Sequence, residues 1–250
     1  MRSVAKKVVS SVKSLRDRRT MVPIDRCYHF RGYRYGGFGF NPYEDYILGL
    51  AAGRELLDLR DTFAKAMLNN APRSMGEALS LDMEEVPPWE FPWDPAPRAG
   101  RKPILDPAMN PDIVCHHCPT GVLASHVNRE FAWLEASFDS IRSEGYKPES
   151  LGYIRCLSFV GDGLSSYLVL DGNHRISALH ATGSTNVSVK VVPRQIKRRH
   201  AARWPRVIDG TYSISTALRV FDRYFAHSNP PLACLNPTPL VIDEAPRWGA

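Results

Sequence analysis

The sequence lacks any apolar run of the roughly 20 residues that a helix needs to cross a bilayer. Its basic N-terminus has neither a continuous apolar block nor a plausible cleavage site, which disfavours a secretion signal. The five cysteines form an odd, scattered set, and this disfavours a disulfide framework. They are Cys27, Cys115, Cys118, Cys156 and Cys234. We therefore expect a cytoplasmic protein with reduced thiols.

Most of the chain also lacks an excess of positive charge. The 250 residues carry 32 basic and 26 acidic side chains, a net charge of +6. Residues 1–20 hold seven basic residues and one acid, so the other 230 residues hold 25 of each sign. This balance disfavours nucleic-acid binding by residues 21–250 through net positive charge.

The basic segment 1–20 places aliphatic residues at helical spacing. Such a pattern is typical of an amphipathic helix that lies on an anionic membrane surface or contacts phosphates. It also fits a short frayed helix packed on the body, or a disordered tail. Peripheral membrane contact through this segment is therefore one of the alternatives.

Proline density suggests how the rest of the chain is divided. Eight of the 20 prolines lie between Val86 and Pro111, where they exclude a helix interior or a central strand. We expect residues 86–112 to be an extended connection packed through Trp89, Phe91 and Trp93. It would follow an N-terminal helical region, 21–85, that begins with a glycine-rich aromatic loop or hairpin at 26–43.

Within 21–85, residues 44–70 predict one or two helices. Their apolar positions recur at intervals near three and four. The predicted inward residues are Leu48, Leu56, Leu59, Phe63 and Met67.

Residues 113–193 predict a separate α+β domain. A helix with its apolar face over 131–141 ends at Gly145, with Pro148 beyond it. Strands at 154–160 and 165–170 flank Gly161-Asp162-Gly163, a hairpin signal. A helix over 175–181 and a strand over 186–192 complete the unit.

The turn between the second strand and the following helix concentrates chemistry-bearing residues. Asp171 ends the strand, Gly172 permits a tight turn, and Asn173 is a favourable helix N-cap. A phosphate here would meet unpaired helix amides, the Arg175 fork and His174. Ionised Asp171 could bind a metal ion or accept a proton from a hydroxyl. A purely structural alternative has Asp171 and Asn173 capping the helix and Arg175 paired with Asp171.

The stretch LVLDGNHRISALHATG, residues 168–183, resembles the signature of the ParB/sulfiredoxin superfamily. In that family a strand leads into Asp-Gly-x-His-Arg, an alanine-rich helix and a valine-rich strand. The helix that ends in Gly145-Tyr146-x-Pro148 fits the family's helix before its hairpin. The resemblance covers about residues 113–193 and implies a small mixed sheet with helices. The N-terminal helical part and a C-terminal helical extension would be added to this core.

The resemblance implies that Gly172, Asn173, His174 and Arg175 face the phosphates of a nucleotide. Family members include sulfiredoxins, ParB partition proteins that bind CTP and DNA, nuclease-like proteins and free-amino-acid kinases. Asn173 stands where sulfiredoxins carry a reactive cysteine, so reduction of a sulfinic acid is not expected. No helix-turn-helix pattern follows Pro193, unlike in ParB. The kinase members use a further acid near the start of the fold, and Asp112 and Glu130 are the nearest acids here.

Two other clusters of polar residues could bind a ligand. Cys115-His116-His117-Cys118 could supply half of a zinc site, but a second ligand pair at suitable spacing is missing. Six cations without an acid follow the last predicted strand and could hold a nucleotide, an acidic substrate or nucleic acid, or form a solvated helix face. They are Arg194, Lys197, Arg198, Arg199, Arg203 and Arg206. A helix over 214–225 is expected to dock after them through Ile214, Leu218, Phe221 and Phe225.

The favoured hypothesis is a kinase-like phosphotransferase that uses ATP or CTP with Mg²⁺. Its acceptor would be a small or saccharide hydroxyl compound, with Asp171 and His174 catalytic and Asp171 also on the metal. Arg194 and Lys197 would join residues 172–175 in binding the nucleotide. The alternatives are a ParB-like DNA-binding protein or nuclease, and a non-catalytic nucleotide-binding regulator.

Overall fold

A five-stranded mixed sheet lies at the centre of the structure, a computed structural model that describes residues 18–64, 66, 75–81, 90–95 and 124–227. The strand order is β1-β5-β3-β4-β2. β1 with β5 and β3 with β4 are antiparallel, whereas β3 with β5 and β2 with β4 are parallel. The strands are β1 (Arg18–Pro23), β2 (Cys27–Tyr28), β3 (Ile154–Gly161), β4 (Leu164–Asp171) and β5 (Asn186–Lys197).

Helices cover both faces of this sheet. They are α1 (Pro42–Ala51), α2 (Leu56–Phe63), α3 (Met75–Ala78), α4 (Ala124–Glu144), α5 (Pro148–Leu151), α6 (Asn173–Ala181), α7 (Pro205–Ile208) and α8 (Ile214–Asp222). Short 3₁₀ helices occupy Ile24–Arg26, Arg198–Arg203 and Arg223–Phe225. The predicted α+β class is confirmed for the described residues.

The predicted hairpin is confirmed. Gly161 pairs with Leu164, and the two residues between them, Asp162 and Gly163, have φ values of +49° and +80°. Asp-Gly is the favoured pair for such a turn because both positions need a positive φ. The preceding helix also ends as expected, with Gly145 at φ +74° donating its backbone N–H to the carbonyl of Ile141 at 2.9 Å.

Alternation along β3 divides the core into two clusters, one on each face of the sheet. Ile154 and Cys156 belong to a cluster with α1, α2, α4 and α6. Leu157 and Phe159 face the opposite cluster, where Phe221 of α8 is buried. A strand with apolar side chains on both faces is typical of the middle of a covered sheet.

The N-terminal part contributes strands as well as helices. Of segment 1–20, only residues 18–20 lie within the described residues, and they begin β1 rather than a helix. β1 and β2 join the same sheet as the hairpin, so residues 18–28 share one core with the region that follows residue 124. The division of the chain into regions at residues 86–112 stays a prediction.

Two helices occupy the stretch 44–70 as far as it is described, and the predicted inward face is partly wrong. Leu59 and Phe63 are buried, but Leu48 is 39% exposed and Leu56 lies at the surface. Met67 lies outside the described residues. Leu48 is exposed because α1 buries a different face, which includes Tyr43, Tyr46 and Ile47.

The second cluster is rich in aromatic side chains. Phe91 stacks on Trp93, which is fully buried against Phe159 and Trp204, so part of the proline-rich connection does pack through its rings. Trp89 lies outside the described residues. In α8 the predicted Phe221 is buried and the predicted Ile214 is exposed. The aromatic residues of the 26–43 loop also pack as expected, because Tyr28, Tyr33, Tyr35 and Tyr43 are buried.

Candidate functional site

Gly172 shapes the turn that joins β4 to α6. Its φ is +100°, a conformation that side-chain-bearing residues rarely adopt. A Cβ at this position would lie 2.8 Å from Ile154 Cγ1 and 3.1 Å from Arg175 Nη2. Both the backbone conformation and the lack of space therefore require glycine here.

Asn173 is not the N-cap that the sequence predicts. Gly172 is the cap and Asn173 is the first helical residue, and within the described residues no side-chain hydrogen bond caps the start of α6. Asn173 Oδ1 instead accepts a 2.7 Å hydrogen bond from the hydroxyl of buried Tyr35. Because the oxygen is engaged by Tyr35, the amide nitrogen of Asn173 is the group left to donate to a ligand.

Arg175 forms the ion pair that the structural alternative predicts. Its Nη2 donates to Asp171 Oδ2 at 3.1 Å, and Nη1 donates to the carbonyl oxygens of Gly152 at 2.6 Å and Leu151 at 3.3 Å. These carbonyls fix the guanidinium beside the turn. The Asp171 side chain is 62% exposed, so the pair lies at the surface and not in the apolar interior.

Glu130 of α4 meets His174 at the start of α6. His174 Nε2 lies 2.7 Å from Glu130 Oε1, and Glu130 is only 3% exposed. Buried Tyr43 also hydrogen-bonds to Glu130, and burial together with the negative charge of Glu130 raises the pKa of Tyr43 well above its ordinary value. Since an ionised carboxylate only accepts hydrogen bonds, His174 must donate through Nε2, which leaves Nδ1 as the basic nitrogen.

These residues surround a polar cavity of about 230 Å³. It is lined by residues 170–175 together with Tyr43, Glu130, Trp133 and Ser137. A second, more apolar cavity of about 280 Å³ adjoins it and shares Trp133, Ser137, His174 and Arg175. Together they form one surface depression with a charged end and an apolar end.

The structure brings Asp171, Gly172, Asn173, His174 and Arg175 together but does not bring Arg194 and Lys197 to them. Lys197 pairs with Val160, whereas Asp171 pairs with Arg155, five residues earlier along β3. At about 3.3 Å per residue the two positions are about 17 Å apart. Arg194 Nη1 lies 3.7 Å from Asp94 Oδ1 on the second cluster's side. Neither cation can share a phosphate with Arg175 in this arrangement.

Sequence reasoning named Glu130 without assigning it a role, and it missed Tyr43 and Trp133. Glu130, Trp133 and Ser137 recur at i, i+3 and i+7, which is the spacing of one stripe along a helix. That stripe runs beside the predicted apolar face, and all three residues line the polar cavity. The spacing could have identified them. Nothing local in the sequence indicates the contact with Tyr43.

Metal binding was predicted at Asp171. Among the described residues, no group of three or more His, Cys, Asp or Glu side chains is arranged to hold a metal ion. Cys115-His116-His117-Cys118 and Asp112 lie outside those residues. Mg²⁺ commonly binds through one or two carboxylates together with substrate phosphates and waters, so exposed Asp171 fits that limited role.

No helix within the described residues is long and apolar enough to span a membrane. Comparison with protein-family models finds no match to the chain, and comparison with curated proteins finds none either.

Proposed function

We propose that the chain binds a nucleoside triphosphate at residues 171–175 and transfers its terminal phosphoryl group to a hydroxyl of a small or saccharide acceptor. The observation that carries this proposal is the His174–Glu130 pair at the wall of a polar cavity, next to the uncapped start of α6 and to Arg175. A base, helix amides and a guanidinium within one cavity are among the groups that phosphoryl transfer uses.

The phosphate-binding groups come from the turn itself. The first amides of a helix carry partial positive charge, and the N-cap residue here, Gly172, has no side chain to occupy them. Arg175 is held by two backbone carbonyls and can exchange exposed Asp171 for a phosphate oxygen. The Asn173 amide nitrogen adds one neutral donor, with its orientation fixed by Tyr35.

His174 would act as the general base. Glu130 fixes the tautomer of the ring and stabilises the imidazolium that forms when Nδ1 accepts the acceptor's hydroxyl proton. The hydroxyl oxygen then bonds to the terminal phosphorus, the bond from that phosphorus to the bridging oxygen breaks, and the diphosphate leaves with the electron pair. Asp171 would hold Mg²⁺, which when bound neutralises charge on the phosphate oxygens.

The fold proposed for this site is that of the ParB/sulfiredoxin superfamily. Support comes from the motif at 168–183, the hairpin and helix in the expected order, and the mixed sheet. The adjoining apolar cavity of about 280 Å³ offers room for the part of the ligand that lies away from the phosphates.

Nucleotide binding is tested by thermal unfolding with ATP, CTP or tripolyphosphate, each with and without Mg²⁺. A nucleotide at 100 times its dissociation constant should stabilise the wild type by about 2.7 kcal/mol. Arg175→Ala should abolish most of this gain, because the fork that holds the phosphate is gone.

Arg142→Ala is the matched control, since Arg142 is an exposed arginine whose recorded partner is Asp139. Equal stabilisation of the two variants would exclude the turn as the phosphate site. Stabilisation that depends on Arg175 without diphosphate release toward any hydroxyl compound would favour a non-catalytic nucleotide-binding protein.

A further inference from the structure

The basic run 194–206 divides into paired and unpaired cations. Arg194 pairs with Asp94, and Arg198 forms a two-pronged pair with Asp222 at 2.8 and 2.9 Å. Arg206 is buried between Glu90 and Asp209. For Lys197 and Arg199, no acidic partner is recorded among the residues that the structure describes.

Lys197 and Arg199 line the same cleft, of about 430 Å³, at the hairpin end of the sheet. The end of β5 supplies Lys197, and the following 3₁₀ helix supplies Arg198 and Arg199. The other walls are Val160 and the turn residues Asp162 and Gly163. Because Asp222 already occupies the Arg198 fork, Lys197 and Arg199 are the cations available to a ligand.

We propose that this cleft is a second anion site, which binds a ligand with at least two phosphate groups. Two separate cations over one concave surface match consecutive phosphates better than a single carboxylate, and the cleft is larger than one phosphate needs. It lies at the opposite end of β3 from residues 171–175, so it binds independently of the proposed nucleotide. The ligand is either a free polyphosphate or the backbone of a nucleic-acid strand.

Asp162 gives the proposal a sharp test, because it is the acid that faces these cations from within the cleft. Its φ of +49° is tolerated by asparagine, so Asp162→Asn removes the charge without straining the hairpin turn. Removing a negative charge from an anion site should strengthen binding. A purely structural cleft would show no such gain.

The experiment is done in the Arg175→Ala background, which removes phosphate binding at the other site. The probes are inorganic tripolyphosphate, measured by calorimetry, and a fluorescent 20-nucleotide deoxythymidine strand, measured by anisotropy. Lys197→Gln with Arg199→Gln should weaken binding about tenfold. For the strand it should also reduce the slope of log affinity against log salt by about 1.4, or about 0.7 for each lost contact.

Arg26→Gln with Arg54→Gln is the matched control. These two exposed arginines carry the same charge but do not line the cleft. We expect a change of less than twofold in this control and several-fold tighter binding in Asp162→Asn. An equal loss in the control, or no binding of either probe at low salt, would overturn the proposal.

The two probes identify the ligand's source. Tighter binding of the strand with a steep salt slope indicates nucleic acid, whereas tighter binding of tripolyphosphate indicates a free polyphosphate. Because every arm lacks Arg175, failure here would leave the proposed nucleotide site untouched.

Discussion

Helix α6 carries two histidine–glutamate pairs that look alike but lie in different surroundings. His174 pairs with Glu130, and His180, six residues later, has Nδ1 at 2.9 Å from Glu44 Oε1. Both glutamates are almost fully buried. Glu130 shares its carboxylate with Tyr43 and lines a polar cavity, whereas Glu44 accepts the backbone N–H groups of two loop glycines.

The difference shows that burial of a charged pair does not by itself indicate chemistry. Glu44 accepts from Gly36 N at 2.8 Å and Gly37 N at 3.2 Å, so its acceptor capacity is used to fix the loop that carries Tyr35. Glu130 and its partner His174 both line a cavity large enough for a ligand. The contacts of Glu44 account for the His180–Glu44 pair as loop structure, whereas the His174–Glu130 pair carries the proposed function.

The largest expected effect is on turnover, when the glutamate of each pair is replaced by glutamine. Glu130→Gln should lower phosphoryl transfer by about 100-fold or more, because His174 loses the carboxylate that stabilises its protonated form. Nucleotide binding, measured by thermal shift, should be retained. Turnover is measured as release of nucleoside diphosphate.

Glu44→Gln is the matched control, and its turnover per folded molecule should stay within about threefold of wild type. If both variants lose activity equally, the distinction between the two pairs is wrong.

The next-largest effect is on the free energy of unfolding, and it concerns Glu44, which fixes the loop. Glu44→Ala leaves two backbone donors and the His180 ring without their acceptor, so the free energy of unfolding should fall by about 3 kcal/mol. Glu44→Gln retains an acceptor and should cost about 1 kcal/mol.

Urea unfolding measures both values, with Glu55→Ala, an exposed residue before α2, as the control. A loss below about 0.5 kcal/mol in Glu44→Ala would mean that the loop does not depend on this carboxylate.

The smallest effect is a pH dependence at His180. The close contact with the Glu44 carboxylate raises the pKa of His180 above its ordinary value of 6.5, while burial opposes this shift. Folding therefore favours the protonated ring, and the resulting stability is fully present below pH 6.5 and is lost as the pH rises through the folded-state pKa. For a partly exposed pair we expect about 0.5–1 kcal/mol.

The measurement compares wild type with His180→Gln by urea unfolding at pH 5.5, 7 and 9. The stability advantage of wild type should be largest at pH 5.5. A difference that does not change with pH would contradict the assignment of His180 to this pair.

Local signals in the sequence were sufficient to predict the hairpin, α6 and the turn between them. Asp162, Gly163, Gly172 and Gly145 all have positive φ values. Glycine, and aspartate within a turn, indicate such positions in the sequence itself. The ion pair between Asp171 and Arg175 was also anticipated, as the structural alternative for this turn.

Contacts between distant segments could not be predicted in the same way. The strand at residues 18–23 begins inside the basic segment 1–20, and its partners among the described residues are 186–191. The sequence predicted a strand over 186–192, but β5 continues past Pro193 to Lys197. It can do so because Pro193 falls where the register with β3 is irregular, between the pairs of Cys156 and Ser158. This continuation is why Lys197 lies far from Arg175.

The sheet's edges have a consequence for how the chain folds. In the part of the sheet that the structure describes, the two outer strands come from residues 18–28 and the three strands between them from residues 154–197. During synthesis β1 stays unpaired until β5, its partner and the last strand, has left the ribosome. Late closure by such remote pairings slows folding and prolongs exposure of open strand edges, so this protein should need protection from aggregation mainly while it is being made.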